Sequence, residues 1–311
     1  MRIEGRCSVK TAQPGSAWLS STLSSTSAAC SLNHPIHNHE PAVLLAANHL
    51  ASLDFSGEDG QGCCASFSKG LAAVCERRHG TTFSAGIAVH ALLLSDDGSS
   101  RVIGVRTHKG DEIRADAVVL CAGANVAPLA ATAGLYVPVQ PLRGYSLTAQ
   151  VPGRTATSTL RTHIVFSPSS LYVTRLGSQI RFTCFGEMSP VRSDGPGPPT
   201  VALQSALRRL VELEVPNVAQ LCDWVNAVEW VGSRPLTPDC YPLSGRTPVA
   251  GLFVNVGHSF NGWREATLSA RVLADAVSGI CVTEGRAGRV VGSVAPNVAV
   301  RAFDPARYRL W

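Results

Sequence analysis

The sequence is poor in charge, in lysine and in long apolar runs. Only 16% of its 311 residues are charged, against about 25% in an average globular chain. Lysine occurs only at positions 10, 69 and 109, so the net charge of +5 comes mostly from scattered arginines. No basic stripe interleaved with aromatic residues is present, which argues against nucleic-acid binding. Proline and glycine interrupt the charge-free stretch at 117–140, so we expect no transmembrane segment, which needs about 20 apolar residues.

Paired cysteines are also missing. Among ten cysteines, Cys63 and Cys64 are adjacent, the others stand alone, and no CxxC pair exists. This spacing predicts free thiols in a reducing compartment, rather than a disulfide framework or a zinc site. His34, His37 and His39 form a short tract, but nothing nearby supplies the supporting hydrogen bonds that metal-ligating histidines use. We therefore expect no metal site.

The apolar content is ample: 45% of the residues are hydrophobic, and a chain of this length is typical of two domains. Residues 1–38 differ from the rest, with eight serines, three basic residues and one acid. This composition matches an organellar transit peptide, but we favour a disordered or mis-started leader. A cytoplasmic and a mitochondrial location both stay open.

From residue 66 onward the periodicity predicts mixed helices and strands. Apolar residues at helical spacing predict a helix over 66–79, ended by Gly80. Two β-rich runs at 89–94 and 102–107 are joined by an Asp-Asp-Gly turn. The apolar run at 117–121 predicts a central parallel strand, and the Ala-Gly-Ala that follows suits close approach of a ligand or another backbone.

The pattern then becomes mostly antiparallel before it returns to its first form. One helix is predicted after Thr200 as N-cap, stopped before Pro216. A buried-type strand at 251–256 is followed by a loop at 257–262 and a helix at 263–278. This arrangement directs backbone N–H groups and the positive end of a helix dipole at an anion. Strands are predicted at 143–150, 171–175, 179–185 and 224–231.

Several long segments occur in a characteristic order. They are DEIRADAVVLCAGA (111–124), PVQPLRGYSL (138–147), WVGSRPLTPDCYPLSGRTP (230–248), GLFVNVGHSFNGWREATLSARVLADAVSG (251–279) and FDPARYRLW at the end. Over about residues 40–311 the sequence resembles the FAD-dependent D-amino-acid oxidase, glycine oxidase and D-amino-acid dehydrogenase family. Among these, it is most similar to the bacterial-type dehydrogenase.

The resemblance implies an α/β (α+β) fold with two domains. A glutathione-reductase-like FAD-binding domain, with an incomplete Rossmann part, would comprise residues 39–137 and 236–300. An antiparallel-sheet substrate domain would comprise 138–235, and 301–311 would be a C-terminal tail. Members of the family oxidise the C–N bond of an amino acid by hydride transfer to FAD, so the implied partner is a small-molecule amino-acid substrate.

Two residues are implied to hold the substrate. By resemblance, Arg234 binds its carboxylate, which suits a guanidinium fork because the fork meets both oxygens in one plane. Tyr172 matches a tyrosine whose hydroxyl contacts the same carboxylate. A surface or ion-paired arginine and a core tyrosine at a strand start are the alternatives.

The resemblance also implies a set of cofactor contacts. Val89 matches a position whose backbone reads the adenine, and Ala122 and Gly123 match a stretch near the ribose and diphosphate. The loop that faces the flavin pyrimidine edge would stabilise negative charge there. Relatives usually have glycine where this chain has serine in that loop, and a side chain at this position can crowd the ring. The loop residues are Gly257, His258, Ser259, Phe260, Asn261 and Gly262. The histidine either approaches the flavin or is a packed, hydrogen-bonded side chain.

One family feature is absent from the sequence. Relatives begin with a strand, GxGxxG and a helix, followed about 20 residues later by an acid that binds the ribose. Gly57, Gly60 and Gly62 cluster, but the spacing is wrong and no apolar strand precedes them. Three explanations compete. The chain is a truncated or mis-started product of an ordinary flavoenzyme, which we favour; it is an inactive remnant or binding protein that holds no FAD alone; or a second chain supplies the missing unit.

Overall fold

A computed structural model describes the chain over residues 62–153, 160, 163–166, 169–192, 195–279 and 302–308, with the backbone of two further strands at Arg6–Thr11 and Ala51–Ser56. Apart from the first of these strands, the leader expected at 1–38 lies outside the described residues. The same holds for the histidine tract at 34–39 and for Gly57 and Gly60.

The described elements are strands that form three sheets and helices that cover parts of them. The strands are β1 Arg6–Thr11, β2 Ala51–Ser56, β3 Val89–Leu94, β4 Val102–Thr107, β5 Glu112–Arg114, β6 Val118–Leu120, β7 Gln140–Gln150, β8 His163–Phe166, β9 Leu171–Leu176, β10 Gln179–Met188, β11 Asp223–Leu236, β12 Leu243–Arg246 and β13 Leu252–Val256. The helices are α1 Cys64–His79, α2 Val126–Ala131, α3 Val201–Glu214, α4 Pro216–Leu221 and α5 Gly262–Val277.

Most predicted elements are confirmed. The runs at 89–94 and 102–107 are β3 and β4, and they pair antiparallel as the turn between them predicts. The helix predicted over 66–79 is α1, and Gly80 follows it at φ 64°. Pro216 does not open a loop, because it occupies the first turn of α4, where its missing N–H leaves no hydrogen bond unmade.

The chain divides into two compact units. Unit 1 comprises Met1–Cys75, Gly144–Glu187 and Gly197–Gly232, and unit 2 comprises Glu76–Arg143, Met188–Pro196 and Ser233–Trp311. Both units are discontinuous in sequence. The domains expected from the sequence, 39–137 with 236–300 and 138–235, stay a prediction.

Unit 1 is built on a seven-stranded sheet in the order β11-β7-β10-β9-β8-β1-β2. The pairs β8–β9 and β9–β10 are antiparallel, and β1 pairs parallel to β8. Leu207 and Val211 of α3 are fully buried in its apolar core. Tyr145 is also fully buried, and its hydroxyl donates to a carboxylate oxygen of Glu187 at 2.6 Å, which satisfies the polar end of the side chain.

Unit 2 contains two three-stranded sheets, β12-β13-β6 and β3-β4-β5, around a second apolar core. Strand β6 pairs parallel to β13, as predicted for a buried parallel strand. The expected central position is wrong for the described residues, because β6 lies at the edge of its sheet and Val119 is 37% exposed. The apolar composition of β6 predicts burial on both faces, and the described residues supply only one neighbouring strand.

Helix α1 has the predicted apolar positions but buries none of them. Phe67 is 46% exposed and Leu71 is 52% exposed, and α1 has no buried residue. The 3.6-residue period therefore predicts the helix correctly, although Phe67 and Leu71 on its apolar face stay exposed and Val74 and Cys75 are only half-buried.

The residues near the C-terminus clamp a turn of unit 2. The Arg307 guanidinium donates two hydrogen bonds to the Asp239 carboxylate, at 2.7 and 3.0 Å, and others to the carbonyls of Tyr241 and Pro242. Burial raises the pKa of Asp239, but the hydrogen bonds from Arg307 and Tyr308 outweigh it and hold the pKa below its usual range.

We expect Asp239→Asn to lower the free energy of unfolding by about 1–2 kcal/mol at pH 7, because one partner of a bidentate ion pair is lost. The folded pKa lies below the unfolded one, so this stabilisation is present above pH of about 4 and is lost as the pH falls further. Chemical denaturation at pH 7 and pH 3 measures the difference. Glu212→Gln, which breaks the exposed i,i+4 pair with Arg208, is the control and should cost about 0.5 kcal/mol or less. Equal effects of the two substitutions at pH 7 would contradict the clamp.

Candidate active site

Arg234 lies near the end of β11, in a Ser-Arg-Pro sequence. Its side chain is half-buried, and its guanidinium lies over the ring of Phe260 at 5.7 Å from the centroid. A cation within about 6 Å of an aromatic face is attracted by the ring quadrupole. The structure therefore brings the predicted carboxylate-binding arginine together with one residue of the predicted cofactor loop.

The loop at 257–262 connects β13 to α5. The Asn261 N–H donates to the His258 carbonyl at 2.9 Å, and the Asn261 carbonyl accepts from the N–H groups of Arg264 and Glu265, which starts the helix. Among the described residues, no acceptor is found for the backbone N–H groups of Phe260 and Gly262. Such groups at the start of a helix are available to an electronegative ligand.

Ser259 turns its side chain inward, toward the end of β11. The residue is 7% exposed and has a φ of 49°, in the left-handed region. Its N–H donates to the Pro235 carbonyl at 3.1 Å, and its hydroxyl oxygen accepts from the Thr237 N–H at 3.2 Å. The hydroxyl at the position where relatives usually have glycine is thus directed at the protein backbone.

Gly257 makes the closest approach in the loop. Its φ is 78°, and a Cβ added there would overlap Cγ2 of Thr237. Glycine is required here both by the backbone conformation and by the missing space. This contact sets how near the end of β13 lies to the residues that follow Arg234.

His258 is packed and hydrogen-bonded. Its Nε2 lies 2.8 Å from the hydroxyl of Ser269, which is fully buried and also donates to the Ala266 carbonyl. Burial lowers the pKa of the His258 imidazole. A Cβ on Gly262 would lie 3.2 Å from Cβ of His258, so the loop closes tightly over the side chain. The ring is consequently neutral at physiological pH.

An open cleft of about 810 Å³ lies elsewhere in unit 2, and Val89 and Ala122 contribute to its wall. Gly123 follows at φ 56° in a short 3-10 turn, Gly123–Asn125, with open space around its Cα. The lining is mostly apolar and contains no lysine or arginine. Its two imidazole side chains are His90 and His108, whose rings are 6.4 Å apart.

Tyr172 belongs to unit 1, in β9. Its side chain is 40% exposed and its ring lies 5.8 Å from that of His163 on the neighbouring strand. It is therefore not a core tyrosine. A shared contact of Tyr172 and Arg234 with one carboxylate stays a prediction.

Within the described part of the chain, no cluster of three or more metal-ligating side chains occurs, and no helix has the length and apolar character needed to span a bilayer. The cysteines found there are free thiols: Cys63, Cys64, Cys75, Cys121, Cys184, Cys222 and Cys240.

Comparison with known proteins identifies the family. The FAD dependent oxidoreductase family (DAO) matches residues 35–276, and the chain belongs to this family. A D-amino acid dehydrogenase of Cereibacter sphaeroides is 36% identical over 244 residues, which are 77% of this chain and 52% of that protein. The chain spans about half the length of the curated relatives it matches.

Solved structures agree on the fold. The L-proline dehydrogenase of P. horikoshii matches with a TM-score of 0.69 at 18% identity, over 88% of this chain and 66% of that protein. The glycine oxidase of Geobacillus kaustophilus matches with a TM-score of 0.66 at 24% identity, over 82% of this chain and 65% of that protein. The predicted fold class, with its glutathione-reductase-like α/β character, is confirmed.

The family's cofactor, FAD, fits the residues present at the loop. The pyrimidine edge of a flavin has one N–H donor between two carbonyl acceptors. The N–H groups of Phe260 and Gly262 are suitable donors to those carbonyls. Asn255 Oδ1, in β13, and Glu265 Oε2, in α5, are buried acceptors without a partner among the described residues. The two backbone N–H groups suit the carbonyls of the pyrimidine edge.

Sequence reasoning did not identify Thr237, Asn255 or Glu265 as site residues. Thr237 is polar and only 2% exposed, and its hydroxyl donates to the Tyr241 carbonyl four residues on. Its contacts with Gly257 and Ser259 are 20 and 22 residues away in sequence, so no local pattern signals its position beside the loop. Asn255 interrupts an otherwise apolar strand, Leu-Phe-Val-Asn-Val. That interruption is a signal that could have been used, since a polar residue in a buried strand needs a partner.

We expect Gly257→Ala to lower the free energy of unfolding by about 2–4 kcal/mol, from the left-handed backbone and the overlap with Thr237 together. Gly98→Ala is the matched control, because Gly98 has φ 80° but no atom within 4 Å of an added Cβ; it should cost about 1–2 kcal/mol. Chemical denaturation followed by circular dichroism gives both values. Thr237→Ser removes Cγ2, so adding it to Gly257→Ala should bring the loss of stability down to that of Gly98→Ala. No such recovery would show that the overlap with Thr237 does not cause the extra loss.

Proposed function

We propose that the chain takes part in the FAD-dependent oxidation of the C–N bond of a D-amino acid. The observation that carries the proposal is the position of Arg234 over Phe260 in the loop that suits the flavin pyrimidine edge. A carboxylate bound by this guanidinium would be held beside the cofactor loop. The 36% identity to a D-amino acid dehydrogenase supports a D-amino acid as the substrate class.

The protein's part in this reaction is binding and orientation. Arg234 would hold the substrate carboxylate through its planar fork. FAD, when bound, would supply the hydride acceptor for oxidation of the substrate Cα–N bond. The N–H groups of Phe260 and Gly262 favour negative charge on the cofactor. No general base is required of the chain, because the amine only has to arrive neutral.

The remaining cofactor contacts belong to the same proposal. Val89 and Ala122, in the cleft wall, and Gly123 beside it, would accommodate the adenosine end. His258 would support the loop through its hydrogen bond with Ser269, and not through a positive charge on its ring.

A second candidate is a protein that does not hold FAD by itself, either an inactive remnant or one that needs a further segment or a second chain. Two observations favour it: the unburied apolar face of α1 and the single neighbour of β6 among the described strands. An added strand beside β6 would bury Val119 and pair the open edge.

Titration of the purified chain with FAD separates the two candidates. Saturable quenching of flavin fluorescence, followed by anaerobic bleaching of the visible band with D-alanine, is expected if the chain holds a working site. No saturable binding would contradict the first candidate for the chain alone. In that case the titration is repeated with a dinucleotide-binding segment supplied at the N-terminus or as a separate chain.

In a flavin-competent form, we expect Arg234→Ala to lower kcat/KM for D-alanine by an amount equivalent to about 2–5 kcal/mol, since one partner of a desolvated charge pair is lost. The matched control is Arg246→Ala, because Arg246 also lies over an aromatic ring, that of Phe253 at 5.2 Å, but is exposed on β12. The control should leave kcat/KM unchanged. Equal kinetics for Arg234→Ala and the unsubstituted protein would disprove the carboxylate role.

A further inference from the structure

A serine at position 259 is less favourable than a glycine, and the hydrogen bonds of its hydroxyl must compensate for this. A serine at φ 49° is in a region that disfavours a Cβ, and glycine would adopt it freely. Burial adds the need for a hydrogen-bond partner. The residue meets this need with the Thr237 N–H at 3.2 Å, and its Oγ also lies 3.3 Å from Thr237 Oγ1 and 3.2 Å from the Gly257 carbonyl.

The same contacts fix the backbone that follows Arg234. The Ser259 N–H binds the Pro235 carbonyl at 3.1 Å, and the Ser259 hydroxyl binds the N–H two residues further on, at Thr237. Both sides of Leu236 are therefore tied to one residue of the loop. The Thr237 hydroxyl also lies 3.4 Å from the Gly257 carbonyl, which joins the same two segments on the other side of Ser259.

We propose that Ser259 and Thr237 form a clasp, comprising residues 235, 237 and 259, that positions the Arg234 guanidinium against Phe260. Ser259 is thus a positioning residue for substrate binding rather than a residue that crowds the flavin. The inference rests on the proposed function for its consequence, the binding of a carboxylate, but the clasp itself can be measured without it.

Three features of unit 2 support the clasp. The hydroxyl oxygen and the N–H it accepts from belong to residues that are 7% and 2% exposed, so water does not compete for the hydrogen bond. The Thr237 hydroxyl donates to the Tyr241 carbonyl at 2.8 Å, which secures the far side of the turn. Phe260 directly follows Ser259, so a movement of Ser259 carries the ring that lies under Arg234.

The test is NMR of the Arg234 Nε–H group in the ¹⁵N-labelled full chain, assigned by its loss in Arg234→Ala. Stacking on Phe260 should displace this resonance from those of exposed arginines, and Phe260→Leu should remove the displacement. We expect Ser259→Gly to remove it as well, although glycine relieves the backbone strain. Ser100→Gly, at another serine with positive φ (52°), is the control and should leave it in place. A displaced Arg234 resonance that persists in Ser259→Gly overturns the clasp.

Ser259→Ala serves as a second variant, because it removes the hydroxyl and keeps the Cβ; retention of the Arg234 displacement in this variant also overturns the clasp. Titration with D-alanine then separates the clasp from the proposed function. Loss of the clasp should weaken D-alanine binding about fivefold, the effect of one net hydrogen bond. If D-alanine does not perturb the Arg234 resonance in the unsubstituted chain, the carboxylate role fails, whereas an NMR shift caused by Ser259→Gly still supports the clasp.

Discussion

The candidate site depends on one constraint, the close contact between the backbone of Gly257 and the side chain of Thr237. No side chain fits between the end of β13 and the turn that follows β11, and the backbone of residue 257 is left-handed. This forces the loop at 257–262 to start directly beside the residues that follow Arg234. The hydrogen bonds of Ser259 to Pro235 and Thr237, and the contact of Phe260 with Arg234, are available only because of that proximity.

Local signals were sufficient for most of the fold. Strands β3 and β4 could be predicted because alternating and β-branched residues flank an Asp-Asp-Gly turn, and α5 because a helical period ends at a glycine. What covers each apolar surface could not be predicted in this way. The apolar composition of the α1 face and of β6 predicts that both are buried. Burial depends on partners that are distant in sequence, and the described residues do not supply these partners in full.

The site shows the same division. The resemblance pointed to Arg234 and the loop by residue type, and the structure brings Arg234 next to Phe260. For Ser259, the sequence suggests crowding of the flavin because only the position of the Cβ is considered, whereas the structure directs the hydroxyl at the Thr237 N–H. The direction of the side chain depends on Thr237, 22 residues away, and that partner is invisible in the local sequence.

The charges around the loop bear on the proposed carboxylate role of Arg234. Arg234 is a permanent cation, whereas burial disfavours a charge on the His258 ring, so the cation that lies over Phe260 is Arg234. Burial also raises the pKa of Glu265, against the opposing effect of Arg264, which makes its buried oxygen a less costly neighbour for a ligand. In the proposed function, Arg234 would hold the carboxylate of the substrate, and the neutral amine would need no counter-ion.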